Sequence, residues 1–148
     1  MKVLVKSKFS ISAAVVWDLT QKSSTLLIVA WPLARIVSVI DSFPERWSEG
    51  STVLCRSYLF GIIPVGTRRI FFEKIDKASM QLQSRETDPL IKHWDHLITV
   101  RPINESSCVY SDEVEINAGV LTPIIWLWAN WFYRHRQSRW QKLLVKSQ

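Results

Sequence analysis

The residues best suited to chemistry are a histidine and an aspartate in a segment that reads as a β-hairpin. Strand-like alternation runs over residues 91–102 and again over 107–117, and a turn around Asn104 joins the two runs. The even-numbered positions of both runs are mostly apolar, which predicts that they face the protein interior. His96 and Asp112 belong to this interior set. If the hairpin is centred on Asn104, they lie directly opposite each other, with Cβ atoms about 5 Å apart.

A histidine and a carboxylate placed in this way could perform general acid–base chemistry. The carboxylate of Asp112 would orient the imidazole of His96 and favour its protonated form. Such a pair could abstract a proton from a bound carbonyl compound during a cyclisation or dehydration. The alternative is that the two groups only satisfy each other, or fix the polar end of a ligand. A register slip of one residue would separate them.

Two further polar residues fall on predicted interior faces of the central strands. Arg68 lies in the predicted strand 65–76, and the preceding turn places it opposite Tyr58. Glu86 ends the inner face of the predicted strand 78–86. Arg68 and Glu86 are therefore candidates for binding a carboxylate or hydroxyl group of a ligand. The alternative for Arg68 is that it reaches solvent from the rim.

The elements that must position these residues follow from hydrophobic periodicity. Consecutive strands with short turns predict an antiparallel meander, preceded by one strand and two short helices and followed by one long helix. The predicted elements are strand 2–11, a short helix capped by Ser12, a second short helix over about 24–31, strands 36–40, 52–60, 65–76, 78–86, 91–102 and 107–117, and helix 120–144. We expect an α+β fold in one domain spanning residues 1–148, since that length can bury a core and contains no linker.

The long helix is apolar on nearly every side in its first half, so protein or lipid must enclose it. Its uninterrupted apolar run, Val120 to Tyr133, is shorter than the ~20 residues of a membrane span, which favours enclosure by the sheet. Three tryptophans in the first half of this helix, with Trp17, are expected to form core or pocket wall. They are Trp126, Trp128 and Trp131.

The order of elements and several short stretches resemble the SRPBCC superfamily, which is also called START-like or the helix-grip fold. The chain looks like a bacterial member related to polyketide cyclases and dehydrases. The matching stretches are Phe9–Trp17, Trp47–Gly50, Phe60–Pro64, Trp94–His96, Tyr110–Asp112 and Ala118–Thr122. The resemblance covers nearly the whole chain. It implies a seven-stranded curved sheet that grips the C-terminal helix, and a cavity between them for lipids, polyketides or other hydrophobic molecules.

The resemblance implies no single reaction, because the superfamily has no universal catalytic set. The leading interpretation is a carrier or sensor that binds a hydrophobic small molecule or lipid. One alternative is a cyclase or dehydratase that uses His96 and Asp112. A further alternative is a peripheral membrane lipid-transfer or partner-binding protein whose basic tail, with Trp140, contacts anionic lipid or a partner surface. The residues predicted to contact ligand are Arg68, Glu86, Trp94, His96, Tyr110, Asp112 and Trp128.

The formal net charge of +6 is concentrated at the end of the last helix. The cations there are Arg134, His135, Arg136, Arg139, Lys142 and Lys146. No nucleic-acid-binding motif accompanies them, so we expect no nucleic acid partner. A transient contact with a membrane surface remains compatible with this charge, and so does a solvated helix end that complements the helix dipole.

Two cysteines, Cys55 and Cys108, fall in strand-like stretches without metal-ligand spacing. We therefore expect free thiols, no metal and no cofactor. Lys6 and Lys8 interrupt any signal-peptide core, which together with the free thiols predicts a cytoplasmic protein. The sequence leaves the ligand and the oligomeric state open.

Overall fold

The computed structural model describes residues 1–146, and in these residues one antiparallel sheet packs against three helices. The strands are β1 (Lys2–Phe9), β2 (Ala34–Ser38), β3 (Thr52–Leu59), β4 (Ile63–Asp76), β5 (Gln81–Thr87), β6 (His93–Asn104) and β7 (Ser107–Asn117). The helices are α1 (Ala13–Thr20), α2 (Ser23–Ala30) and α3 (Thr122–Lys146), and a single 3-10 turn (Gly119–Leu121) precedes α3. The predicted α+β helix-grip fold, with seven strands, two short helices and a long C-terminal helix, is confirmed.

The sheet has the strand order β1-β7-β6-β5-β4-β3-β2, so only β1 pairs with a strand distant in sequence. The other strands follow each other as a meander, because short turns allow neighbouring strands to pair in antiparallel. Three register irregularities interrupt the ladders, after Arg56, Phe72 and Pro102. Extra residues of this kind bend a strand and increase its twist. The sheet can therefore curve around α3.

Local capping sets where the helices begin. The Oγ of Ser12 accepts a hydrogen bond from the N–H of Val15 (3.4 Å), as the predicted cap requires. At α3, Thr122 Oγ1 accepts from the N–H of Ala118 (2.9 Å) and donates to the carbonyl of Gly119 (2.7 Å). These bonds hold the 3-10 turn, so α3 begins two residues later than predicted, with Pro123 in its first turn.

The C-terminal half of α3 packs tightly against the sheet. Phe9, Tyr110 and Trp140 are all buried, and their ring centroids lie 5.1–5.9 Å apart. This aromatic group fixes α3 to β1 and β7 through the burial of large apolar surfaces.

The position of α3 is asymmetric across the sheet. Cα atoms of α3 come within 8 Å of β1, β7 and α2, but of none of the strands β2 to β6 in the described part of the chain. The helix therefore rests on one side of the curved sheet and leaves a wedge of space over the other. Within residues 1–146, no helix combines the length and the apolar character needed to cross a bilayer.

Candidate ligand-binding site

A pocket of about 300 Å³ occupies the wedge between α3 and the strands β2 to β6. We call it the large pocket. Most of its lining is apolar, and its polar residues are Ser57, Arg68, Glu86, Asp88, Tyr133 and Arg136. The apolar lining is Leu26, Ala34, Ile36, Leu59, Val65, Ile70, Leu90, Ile91, Trp94, Ile124, Ile125, Trp128 and Phe132.

A second pocket of about 50 Å³, the small pocket, lies deeper along the same face of the sheet. It is lined by Thr20, Thr25, Leu26, Trp47, Ile70, Phe72, Leu82, Ser84, Glu86, His96, Ile98, Tyr110, Arg136 and Trp140. The two pockets share Leu26, Ile70, Glu86 and Arg136, so they are neighbours across these four side chains. One pocket is mainly apolar, and the other is small and contains several polar groups.

His96 and Asp112 are in contact, although not as directly paired residues. In the β6–β7 ladder His96 pairs with Val114, and Asp112 pairs with Ile98. The predicted direct pairing was therefore wrong by two residues. A shift of two keeps both side chains on the same face. His96 Nε2 consequently lies 2.7 Å from Asp112 Oδ1, within a buried diagonal pair.

The Asp112 carboxylate is fully buried and accepts hydrogen bonds at both oxygens. His96 Nε2 and the Tyr110 hydroxyl (3.4 Å) donate to Oδ1, and Gln137 Nε2 (3.0 Å) donates to Oδ2. Burial opposes ionisation of this group, but the Arg136 charge and the His96 and Gln137 hydrogen bonds outweigh it and lower the pKa of Asp112. The carboxylate is therefore held in its ionised form.

Arg68 points inward and is neutralised by carboxylates. Its guanidinium forms ion pairs with Asp88 (2.9 Å) and Glu86 (3.4 Å) and lies over the Trp94 ring, 4.7 Å from its centroid. The predicted pairing with Tyr58 was wrong, because Arg68 pairs with Cys55 across β3 and β4. The alternative of an arginine that extends into solvent is also excluded, since its side chain is only 16% exposed.

The aromatic residues predicted to contact ligand divide between the two pockets. Trp94 and Trp128 line the large pocket, and Tyr110 lines the small one. Trp94 Nε1 donates to the Tyr133 hydroxyl (3.0 Å). Burial raises the pKa values of both Tyr110 and Tyr133, so these phenols stay protonated.

The expectation for the helix tryptophans was wrong for Trp131, which is 52% exposed. Its ring contacts Trp128 and Phe60, with centroids 5.6 and 6.1 Å away. Trp126 is half-buried, and its Nε1 donates to the carbonyl of Lys2 (2.8 Å). Trp17 is buried in the core, as predicted.

Several residues of the predicted basic tail pack against the rest of the protein. The hypothesis that Trp140 contacts anionic lipid together with this tail is therefore wrong. Trp140 is 1% exposed and cannot contact lipid in this structure. Arg139 donates to the carbonyl of Ile28, and His135 Nε2 lies 3.0 Å from the carbonyl of Trp31. Lys142 and Lys146 remain exposed.

Sequence reasoning missed four residues around the pockets, namely Asp88, Tyr133, Arg136 and Gln137. A signal was present for three of them. Buried positions on α3 recur at the spacing of one helix face, through Ala129, Phe132, Tyr133, Arg136, Gln137, Trp140 and Leu144. Following this face through the charged tail would have placed Arg136 and Gln137 inside. Among the residues described, no His, Cys, Asp or Glu side chains group in a way that could hold a metal ion.

Comparison with solved structures defines the class of fold. A START superfamily protein from Mycobacterium smegmatis matches with a TM-score of 0.70 at 11% identity, covering 99% of both chains. Norcoclaurine synthase from Thalictrum flavum, in complex with dopamine and hydroxybenzaldehyde, matches with a TM-score of 0.71 at 12% identity, covering 100% of this chain and 88% of that one. The Zhui aromatase/cyclase from a Streptomyces species matches with a TM-score of 0.51 at 15% identity, covering 80% and 70% of the two chains. The fold is therefore START-like, as the resemblance to the SRPBCC superfamily implied.

The family itself follows from the sequence. A family model described as Domain of unknown function (DUF8410) matches residues 7–144, and the chain belongs to this family. A comparison with curated proteins gave no match.

Proposed function

We propose that this protein is a carrier or sensor that binds an apolar small molecule in the large pocket. The observation that carries this proposal is a pocket of about 300 Å³ with a mainly apolar lining and a few polar groups. Pockets for small organic molecules begin at roughly this size and have this make-up. We further propose that residues 1–148 act as one ligand-binding domain.

The likeness in fold supports ligand binding in general, and the kind of ligand must be inferred from the walls of the pocket. Proteins of similar fold include an aromatase/cyclase and a synthase that holds two aromatic compounds. With identities of 8–15%, these likenesses concern the fold and not the ligand. The apolar walls of this chain, including Trp94 and Trp128, favour a ligand with a large hydrophobic part.

The proposal can be tested with a substitution whose larger side chain fills the large pocket. Leu59 lines the large pocket, so Leu59→Trp should occupy it, whereas Leu54→Trp on an exposed position of the same strand should leave it open. We expect the wild type and Leu54→Trp to bind a fluorescent fatty acid, and Leu59→Trp to bind at least about tenfold more weakly. Equal binding by all three proteins, or no binding by any, would contradict the proposal.

A second candidate function is proton-transfer catalysis, and the 2.7 Å contact of His96 with Asp112 favours it. The ionised carboxylate holds the Nε2 proton, so Nδ1 is the nitrogen that could accept a proton. His96 Nδ1 makes no hydrogen bond to any described residue, and His96 lines the small pocket. A carbonyl compound whose polar end reached this pocket could lose a proton next to its carbonyl.

This candidate predicts deuterium exchange next to the carbonyl of a bound long-chain methyl ketone, followed by NMR in heavy water. Exchange should be faster with the wild type than with His96→Gln, while both bind the ketone within a few-fold. The control is His93→Gln, because His93 is exposed on the same strand. Identical exchange rates for the wild type and His96→Gln would eliminate His96 as the base.

A further inference from the structure

Arg136 is a buried cation without a partner, and it lies where the two pockets meet. Arg136 is 6% exposed and lines both the large and the small pocket. Within residues 1–146 its guanidinium has no ion pair and no hydrogen bond, and its buried Nε is unsatisfied. Its contacts are the rings of Tyr133 and Phe132, whose centroids lie 5.2 and 5.9 Å from Cζ.

This arrangement is costly unless something binds the guanidinium. An arginine does not lose its proton in proteins, so it cannot avoid the penalty of burial by becoming neutral. It carries five N–H donors, and ring faces satisfy none of them as a carboxylate would. The guanidinium of Arg136 is therefore buried and charged, and no carboxylate of the described residues accepts its hydrogen bonds.

The neighbouring carboxylates are already engaged. Asp112 accepts from His96, Tyr110 and Gln137, which uses both of its oxygens. Glu86 forms an ion pair with Arg68. Their charges stabilise the Arg136 cation at longer range, without providing a hydrogen-bonding partner.

Arg68 provides the internal comparison. It also lines the large pocket, yet Asp88 and Glu86 pair with it at 2.9 and 3.4 Å. The chain thus contains the means to neutralise a buried arginine and uses them at Arg68 only. Arg136 is the one of the two whose guanidinium has no carboxylate partner among the described residues, so its charge is available to a ligand.

We propose that the ligand is an amphiphilic organic acid, whose apolar part fills the large pocket and whose carboxylate binds Arg136 at the junction with the small pocket. This inference rests on the proposed ligand-binding function. The ring faces of Tyr133 and Phe132 would hold the guanidinium in place, so that its donors are already oriented when the acid enters.

Isothermal titration with three compounds of equal chain length tests this proposal. The probes are decanoic acid, decanol and decylamine, at a pH where the acid is ionised. We expect the wild type to bind the acid about ten- to hundredfold more tightly than the alcohol, the factor that a charge-assisted hydrogen bond supplies, and to bind the amine most weakly. Arg136→Gln should reduce the preference for the acid to within about threefold.

Arg134→Gln is the matched control, because Arg134 is exposed on the same helix. It should keep the full preference for the acid, which separates contact with Arg136 from the general positive charge of the protein. If Arg136→Gln does not fold, Arg136→Met takes its place, because it removes the charge and keeps a similar volume, and it should reduce the preference for the acid to the same extent.

Each outcome has a distinct meaning. Equal binding of acid and alcohol by the wild type would overturn the role of Arg136 and leave the apolar pocket intact, since pocket water would then satisfy the guanidinium. A preference for the acid that Arg134→Gln abolishes would also overturn it. If none of the three compounds binds, the proposed function fails and this inference fails with it.

Discussion

The two halves of α3 differ in how their sequence relates to their burial. The C-terminal half is the more polar in sequence, yet it buries Arg136, Gln137, Trp140 and Leu144 against the sheet and α2. The N-terminal half is almost entirely apolar, yet Ile124, Leu127 and Trp131 are exposed. The C-terminal half anchors the helix to the sheet, and the N-terminal half forms part of the wall of the large pocket. Apolar composition by itself therefore does not indicate which part of a helix forms the core.

The difference follows from where the sheet curves. The C-terminal half of α3 lies over β1 and β7, where Phe9 and Tyr110 stack with Trp140. The N-terminal half lies beside the wedge, and Trp128 meets Phe132 and Phe60 without a strand packed beneath it. We expect changes in the first half to alter ligand binding and changes at Trp140 and Leu144 in the second half to alter stability, while Arg136 lies where the two regions meet and lines both pockets.

The largest effect should come from Trp140. Trp140→Ala removes a fully buried ring between Phe9 and Tyr110, and should lower the free energy of unfolding by about 3–5 kcal/mol. Trp131→Ala is the matched change in the first half, where the ring is 52% exposed, and should cost about 1 kcal/mol or less. Urea denaturation measures both. Similar losses for the two variants would remove the distinction between the halves.

Much of the fold could be predicted because strand alternation and turn residues are local. The predicted inward faces of β6 and β7 were correct, because the observed register differs from the predicted one by two residues and so leaves His96 and Asp112 on the same face. The register itself was wrong, because the turn lies at Glu105 and Ser106 and not at Asn104. The bulge between Pro102 and Asn104 then shifts the pairing back by one residue, which leaves a net displacement of two. On β3 and β4 the turn is centred on Gly61, nearer the N-terminus than predicted, so Cys55 and not Tyr58 lies opposite Arg68, although a bulge between Arg56 and Tyr58 shifts the pairing by one residue.

The least predictable part was the orientation of α3 about its own axis. Its N-terminal half is apolar all round, so that half gives no preferred face. Its charged tail suggested solvent, while Arg136 and Gln137 continue the buried face set by Ala129 and Tyr133. The partner of Gln137 lies on β7, 25 residues earlier, where it donates to Asp112. A contact of this kind depends on tertiary docking and not on local pattern.

A smaller effect, sensitive to pH, should come from the Asp112 carboxylate, which links the buried half of α3 to the sheet. Asp112→Asn leaves Arg136 without its strongest compensating charge and weakens the bonds from His96 and Gln137, so it should cost about 1–3 kcal/mol at neutral pH. The pKa of Asp112 is lowered in the folded protein, so the folded state binds this proton less readily than the unfolded state does. Its stabilising contribution is therefore complete above the unfolded pKa of about 3.9, and is lost as the pH falls through the folded pKa.

Urea midpoints at about pH 6 and about pH 3 should show this as convergence, with the wild type losing more stability on acidification than Asp112→Asn. Asp41→Asn serves as the control, because Asp41 is exposed outside the strands and should follow the wild type at both pH values. A gap between the wild type and Asp112→Asn that stays constant with pH would mean that Asp112 does not link the buried half of α3 to the sheet through its charge. The stability of that half would then derive from the aromatic packing of Trp140 alone.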